Sequence, residues 1–175
     1  MNNSKIRHLS ASVPVREFLE TAVDVEKFLA LCRMCPNYGN ILTCPPLAFD
    51  PMEIWSRYET LELYARVLYP EPDTSYGDFL DLFRREKTSL TAWVFALEQE
   101  NPGSLSLAAS TCTACSPCRR QQGRPCQNPG ALRYSIEALG GDVGKIMETY
   151  LHTPLQWAEA GKLPQYLTVV AGLLK

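Results

Sequence analysis

Four cysteines stand within fifteen residues of this chain, and their spacing is the strongest sign of chemistry in the sequence. They are Cys112, Cys115, Cys118 and Cys126, called here the four-cysteine group. Three thiols at two successive x2 spacings are typical of a loop around a [4Fe–4S] cluster, with the fourth ligand arriving from farther along the chain. The gap of seven residues before Cys126 matches the ferredoxin pattern only in part. The spacing favours a cluster, while zinc stays open because that ion accepts any tetrahedral set of four thiolates.

The charges around the four-cysteine group suit an anionic centre. No Asp or Glu occurs from Asn101 to Ile136, and this stretch carries Arg119, Arg120, Arg124 and Arg133. Arginine side chains and backbone N–H groups stabilise a cluster of net negative charge. The alternative is that these arginines form a solvated basic loop or a docking patch for an anionic partner.

A second set, the three-cysteine group, uses the remaining thiols: Cys32, Cys35 and Cys44, the last followed by Pro45-Pro46. Three thiols on an iron–sulfur cube leave one iron open to substrate, water or a non-cysteine ligand. The candidates for a fourth ligand are His8, Tyr38, Asp50 and Cys126. His8, in a polar N-terminal tail, and His152, at a helix end, are each expected to be structural. Radical enzymes that use S-adenosylmethionine space their cysteines x3 then x2 and need a longer chain, so they are excluded.

No other motif identifies a catalytic residue. The segment Gly140–Ile146 resembles a phosphate loop, but it is one residue short between its glycines and lacks Ser or Thr after Lys145. The common hydrolase, metalloprotease and dinucleotide motifs do not occur. Whether the protein is an enzyme is therefore left open by the sequence.

Composition indicates an ordinary globular protein. The 175 residues, 46% hydrophobic and 21% charged, suffice for one apolar core, so a single metal-binding domain over 1–175 is the simplest interpretation. A net charge of −2 gives no reason to expect nucleic-acid or membrane binding. The N-terminal residues lack the apolar segment of a signal peptide, which predicts a cytoplasmic protein. Seven cysteines in a reducing compartment argue against a disulfide framework.

The elements that must position the cysteines follow from periodicity and capping residues. Strands are predicted at 61–69, 104–109 and 166–174. Helices are predicted at 12–23, 25–31, 51–58, 76–99 with a break near Thr88-Ser89, 131–139 and 143–151. Asp24 and Asp142 are predicted N-caps, and Asp50 to Glu53 form a capping box. The order predicts an α+β fold, a sheet of three or four strands covered by helices on at least one face, with two cysteine-rich loops at its edge.

With both cysteine groups in view, the chain resembles a functionally uncharacterised family of small prokaryotic proteins, a domain of unknown function predicted to bind metal. The resemblance rests on both cysteine motifs and on the segments 126–129 and 133–143. The family pattern has Arg or a similar residue after the last cysteine, a Pro before the Ser of the arginine motif and an Ile near its end, whereas this chain has Gln127, Tyr134 and Gly141. The resemblance implies metal or iron–sulfur binding in anaerobes and implies no established reaction.

The leading hypothesis is an iron–sulfur protein with one or two [4Fe–4S] clusters. It would transfer electrons to a redox or metalloenzyme partner protein, or take an accessory part in metallocofactor or corrinoid chemistry. One alternative is an enzyme whose open-coordinated three-cysteine centre binds substrate. The other is a zinc-stabilised interaction module without redox activity.

Overall fold

The structure is a computed structural model that describes residues 5–159 and 161–175. Residues 1–4 lie outside the described residues, and they belong to the N-terminal stretch from which the lack of a signal peptide was predicted. Ala160, in the connection to the last strand, also lies outside them. In chain order the elements are β1 (Lys5–Pro14), α1 (Val15–Ala22), α2 (Val25–Arg33), α3 (Met52–Trp55), β2 (Thr60–Tyr69), α4 (Tyr76–Glu100), β3 (Leu105–Leu107), α5 (Val143–Thr149) and β4 (Leu167–Leu174). Short 3-10 turns occupy Arg119–Gln122, Pro129–Ala131 and Glu137–Leu139.

The four strands form one antiparallel sheet in the order β1-β2-β4-β3. In its central part, Ala65 of β2 lies between Leu9 of β1 and Val170 of β4. The short strand β3 pairs with the end of β4, where Leu107 lies opposite Gly172. A β-carbon at Gly172 would lie 2.9 Å from Leu61 Cδ1, so the absence of a side chain lets the strands and core approach. The predicted α+β fold is confirmed.

Helices cover both faces of the sheet because its strands alternate apolar side chains between two cores. On one face, residues of β2 and β4 pack with α1, α3 and α5 around Phe18 and Trp55, both fully buried. On the other face, the neighbouring β4 residues Val169 and Ala171 pack against α4, which contributes Phe79 among others. The long helix α4 and the cysteine loops are therefore placed by two separate apolar contacts of one sheet.

The predicted start of the fold was wrong. Residues 5–14 form an edge strand, and the helix predicted from Ser12 begins only at Val15. In β1, Leu9, Ala11 and Val13 alternate with polar residues, and the strand is paired on one side only, with β2. His8, predicted to lie in a polar tail, is a strand residue opposite Arg66.

Two helix predictions were also wrong. The helix α4 runs without interruption through Thr88-Ser89, and Thr88 Oγ1 donates to the Arg84 carbonyl 3.2 Å away instead of ending the helix. The segment 131–139 is not an α-helix but two 3-10 turns joined by extended backbone. The extended part is held because the Ala108 N–H donates to the Tyr134 carbonyl at 2.8 Å, which continues the edge of the sheet beyond β3.

The predicted caps are present. The Asp24 side chain accepts from the Lys27 N–H at the start of α2, and the Asp142 side chain accepts from the Lys145 N–H at the start of α5. Only half of the predicted capping box is present: the Glu53 side chain accepts from the Asp50 N–H at 3.2 Å, but the Asp50 side chain accepts from the Met52 N–H instead of that of Glu53. The helix α3 ends at Trp55, before the predicted Tyr58. None of the described helices is long and apolar enough to cross a lipid bilayer.

Candidate metal centre

The loop that follows β3 brings the four-cysteine group around one small cavity. All four cysteines line it and are half-buried. The rest of the lining includes Leu42 and Thr43 from the three-cysteine loop, and Ala131 and Leu132 from the chain after Cys126. The predicted fourth thiol, from beyond the seven-residue gap, therefore lies at the same cavity as the three closely spaced ones. Each donor is a soft sulfur ligand, the type that thiolate-bound clusters use.

Two N–H groups donate to sulfur in this loop. The Gln127 side-chain amide lies 3.0 Å from Cys115 Sγ, and the Asn128 backbone N–H lies 3.3 Å from Cys126 Sγ. Donors at these positions stabilise thiolates and the clusters they hold. Gln127 was noted in the sequence only as a departure from the family pattern, and its contact with Cys115 could not be predicted from spacing.

The three-cysteine group is built on the end of α2 and a series of turns. Cys32 lies in the last turn of α2, as predicted, and its carbonyl accepts from the Cys35 N–H at 2.9 Å. Farther along, Gly39 N–H donates to the Pro45 carbonyl at 2.9 Å, and Cys44 N–H donates to the Ile41 carbonyl at 3.0 Å. Cys44 is buried and Cys35 is exposed, so the thiols of this loop lie at different depths below the surface.

The three thiols influence one another electrostatically. Burial, followed by the neighbouring Cys35 and Cys32, raises the pKa of Cys44 to about 11. Burial, then Cys35 and Glu137, raises the pKa of Cys32 as well. Both side chains are thus protonated at neutral pH when no metal is bound, and a metal that binds them must displace their protons.

The candidates for a fourth ligand are separated by the fold. Tyr38 stays beside the three-cysteine group, and its N–H donates to the Cys35 carbonyl at 3.0 Å. Asp50 is engaged at α3, where it accepts from the Met52 N–H at 2.9 Å. His8 lines a groove with Trp93 on the α4 side of the sheet, and Cys126 lies with the four-cysteine group.

One acidic residue near the three thiols was missed in the sequence. Glu137 lies within a cleft of about 230 Å³ that Tyr38 and Pro45 also line. Glu137 is an exposed residue, and local desolvation of its carboxyl raises its pKa. Across residues 5–159 and 161–175, no three His, Cys, Asp or Glu side chains are arranged to enclose a single ion.

The two cysteine loops are joined directly to each other. The Arg120 guanidinium donates to the carbonyls of Ile41, Cys44 and Pro46 at 3.1, 2.7 and 2.8 Å. In the opposite direction, the Cys112 N–H donates to the buried hydroxyl of Thr43 at 3.1 Å. The two cysteine groups, far apart in sequence, therefore belong to one region of the structure.

The comparison with protein families agrees with the coarse prediction of metal binding. The family model for DUF2284, described as a predicted metal-binding protein, matches residues 19–174, which include all seven cysteines. The chain belongs to the DUF2284 family. This confirms the family resemblance and the coarse prediction of metal binding. Among curated proteins and among solved structures, nothing matches the chain significantly.

In this DUF2284 protein, the start of the helix that carries Cys32 is anchored by the Gly140-Gly141 turn. The Asp24 N–H donates to the Gly140 carbonyl at 2.8 Å, and the Asp142 N–H donates to the Ala22 carbonyl at 2.7 Å. Gly140 has a φ of +86°, and a β-carbon there would lie 2.8 Å from Val25 Cα. The segment that resembled a phosphate loop therefore has a structural use, to hold α2 in place.

The arginines of the DUF2284 loop divide among different contacts. Arg119 lines the four-cysteine cavity, whereas Arg124 is exposed. Arg133 forms a part-buried, two-pronged ion pair with Glu98 of α4, in which its Nε lies 2.6 Å from Glu98 Oε2. Desolvation alone would raise the pKa of Glu98, but hydrogen bonds from Arg133 and Ser106 outweigh it and lower the pKa. Arg133 thus belongs to the sequence stretch without Asp or Glu, but its charge is neutralised by Glu98, which lies before that stretch in the sequence.

Proposed function

We propose that this DUF2284 protein is an electron carrier with two metal centres. The first is a [4Fe–4S] cluster held by the four-cysteine group. The second is a metal centre, an open-coordinated cluster in our preferred form, held by the three-cysteine group. When bound, such clusters supply one-electron chemistry, and a partner protein would give or take the electron. The single observation that carries the proposal is that all four cysteines of one loop line the same cavity.

The surroundings of the four-cysteine cavity support a thiolate-bound centre. Leu42, Ala131 and Leu132 contribute apolar lining that limits access of water to the sulfurs. Gln127 and the Asn128 N–H donate to two of the sulfurs, which lowers the cost of their negative charge. Arg119 adds a positive charge at the same cavity. The hydrogen bonds and the positive charge favour an anionic cluster and shift its potential upward, whereas the exclusion of water shifts it downward.

The contact between the loops supports the use of two centres together. Thr43 lines the four-cysteine cavity and is next in sequence to Cys44 of the other group. Arg120 lies between Cys118 and Cys126 in sequence and binds the Cys44 carbonyl. Two centres held by such loops would be neighbours, and this is the arrangement that an electron relay needs.

The test is metal analysis of protein purified without oxygen. We expect about four irons and four sulfides per chain for one cluster and about eight of each for two, with visible absorption that reduction bleaches. Cys115→Ala should remove the first centre, and Cys44→Ala the second. Ser116→Ala is the matched control in the same loop and should leave both in place. Colourless protein with stoichiometric zinc and no sulfide would replace this proposal with the zinc-stabilised interaction module.

A second candidate is an enzyme that binds its substrate at the three-cysteine centre. The observation in its favour is the cleft of about 230 Å³ beside that group, with Tyr38, Arg33 and Glu137 among its lining residues. In that case Glu137→Gln should abolish turnover of a substrate and leave the iron and sulfide content unchanged. An electron carrier without substrate would lose no function when Glu137 is replaced.

A further inference from the structure

A separate cavity of about 540 Å³ adjoins the four-cysteine group on the side away from the three-cysteine loop. Cys112 and Ala114 line both this cavity and the smaller one that the four thiols share. Its walls come from α4, from residues 108–114 after β3, and from Ala131 and Arg133. The volume lies in the range typical of small-molecule sites.

One stripe of α4 forms a wall of this cavity. The lining residues of the helix recur at helical spacing: Arg84, Lys87, Thr88, Thr91, Ala92 and Phe95. A different stripe, which includes Phe79, Leu90 and Val94, packs on the sheet. The Ala109 N–H donates to Thr91 Oγ1 at 3.0 Å, which holds the helix against the facing segment. The cavity is therefore a gap between two fixed elements.

The lining combines positive charges, hydroxyl groups and small apolar groups. Of the described residues, none that line the cavity is Asp or Glu, whereas Arg84, Lys87 and Arg133 do line it. Ser110, Thr111 and Thr113 contribute hydroxyls, and Phe95 with four alanines contributes apolar surface. Cationic and hydroxyl donors beside a flat apolar wall suit an anion that carries a hydrophobic part.

Lys87 is the cation best placed to bind such an anion. Arg133 is already paired with Glu98, and Arg84 contacts Asp81 at the surface. Within the described part of the chain, Lys87 has no carboxylate at ion-pair distance. Its ammonium lies 4.6 Å from the centre of the Phe83 ring and acts electrostatically on Glu137, so Lys87 lies between this cavity and its neighbour.

The neighbouring cavity provides a contrast. It measures about 520 Å³ and also contains Lys87, but Glu137, Asp142 and Lys27 line it as well, so its charges of both signs are mixed. No Asp or Glu among the described residues lines the cavity beside Cys112, so an anion would meet carboxylate repulsion in the neighbouring cavity and not in this one.

We propose that the cavity between α4 and residues 108–114 is a binding site for a small organic anion, with its carboxylate or phosphate group at Lys87 and the hydroxyls of the lining and its apolar part against the alanines of the lining. The site shares Cys112 with the four-cysteine group, so a bound molecule would lie next to the first metal centre. Binding of the anion does not require that centre.

The test is calorimetric titration of the full-length protein with phenyl phosphate and, separately, benzoate. We expect saturable binding of at least one, at least about tenfold weaker in Lys87→Met, and weaker for wild type at high salt. Lys145→Met, an exposed lysine that lines none of these cavities, is the control and should bind as wild type does. Backbone amide resonances of residues 110–114 should shift on addition of the ligand.

Phenol should not bind, because it lacks the acid group at neutral pH, and inorganic phosphate should bind more weakly than phenyl phosphate. Thr111→Val offers a second variant if Lys87→Met does not fold, and it should also weaken binding. The proposal is overturned if wild type binds neither anion, or if both variants bind with wild-type affinity. The titration reports anion binding and the metal analysis reports iron, sulfide and zinc, so the two proposals fail separately.

Discussion

Replacement of Arg120 tests whether the two cysteine loops depend on one another. Its guanidinium donates to three carbonyls of the three-cysteine loop, including that of Cys44 at 2.7 Å. Arg120→Met keeps most of the apolar stem and removes every one of these donors. The carbonyls of Ile41 and Cys44 lie in a part-buried contact, so water replaces the lost donors only in part.

The expected cost follows from the type of bond. A hydrogen bond that involves a charged group contributes about 1.5–3 kcal/mol. The bond to Pro46 is exposed and counts for little, and the release of the long side chain returns about 2 kcal/mol of rotamer entropy. The two part-buried bonds therefore leave a net loss of about 1–4 kcal/mol in the docking of the loop. This corresponds to a factor of roughly 5 to 1,000 in the population of the undocked loop.

Native-state hydrogen exchange measures that population. The amides of Gly39 and Cys44, which are bonded within the three-cysteine loop, should exchange faster in Arg120→Met by that factor. Arg124→Met is the matched control, because Arg124 belongs to the same loop and is exposed. Under the proposed function, Arg120→Met should also lower metal occupancy of the three-cysteine group more than that of the four-cysteine group.

The reasoning is refuted if Arg120→Met and Arg124→Met show the same exchange at Gly39 and Cys44. Equal protection would mean that the first loop is held by its own turns and that Arg120 contributes no more than a surface charge. Arg120→Lys refines the comparison. A lysine ammonium is a compact point charge without the planar fork, so it should recover part of the protection and not all of it.

Three further substitutions or conditions give distinct results. Glu98→Gln should destabilise the fold by about 1–3 kcal/mol at pH 7, because it removes the carboxylate that pairs with the part-buried charge of Arg133. Since the folded pKa of Glu98 is lowered, the difference from wild type in denaturant melts should shrink as pH falls through that pKa, and a constant difference would contradict it. Gly140→Ala should cost about 3 kcal/mol or more, from positive φ and overlap with backbone, whereas Gly130→Ala should be near neutral. Because the pKa of Cys44 is about 11, metal affinity of its group, measured by chelator competition, should rise about tenfold per pH unit for each proton displaced; no rise between pH 6 and 8 would contradict this.

Local features of the sequence predicted much of the framework. Asp24 and Asp142 were recognised as caps because a short acceptor before an apolar helical run satisfies free backbone N–H groups. The strand β2 was recognised because its buried residues, Leu61 and Leu63 among them, alternate with half-buried ones. Both signals depend on residues only a few positions apart, so they can be recognised without knowledge of the tertiary contacts.

The missed features depend on contacts between distant parts of the chain. The strand β1 is an edge strand whose polar residues mask its alternation, and pairing with β2 decides its conformation. Residues 132–135 contain good helix formers, yet the bond from Ala108 to the Tyr134 carbonyl holds them extended. The contacts of Arg120 and Glu137 were likewise hidden, since no spacing rule reports which carbonyl or thiol a side chain will meet.

The contact between the cysteine loops changes how the two groups should be understood. Taken by spacing alone, they are a complete set of four thiols and an incomplete set of three. In the fold, Thr43 belongs to the lining of the first set and Arg120 binds the backbone of the second, so ordering either loop orders part of the other. Any ligand that favours the ordered form of one loop must, by linkage, favour ligand binding at its neighbour. The absence of a fourth thiol at Cys32, Cys35 and Cys44 therefore need not make that group weak, because the neighbouring loop supplies part of its organisation.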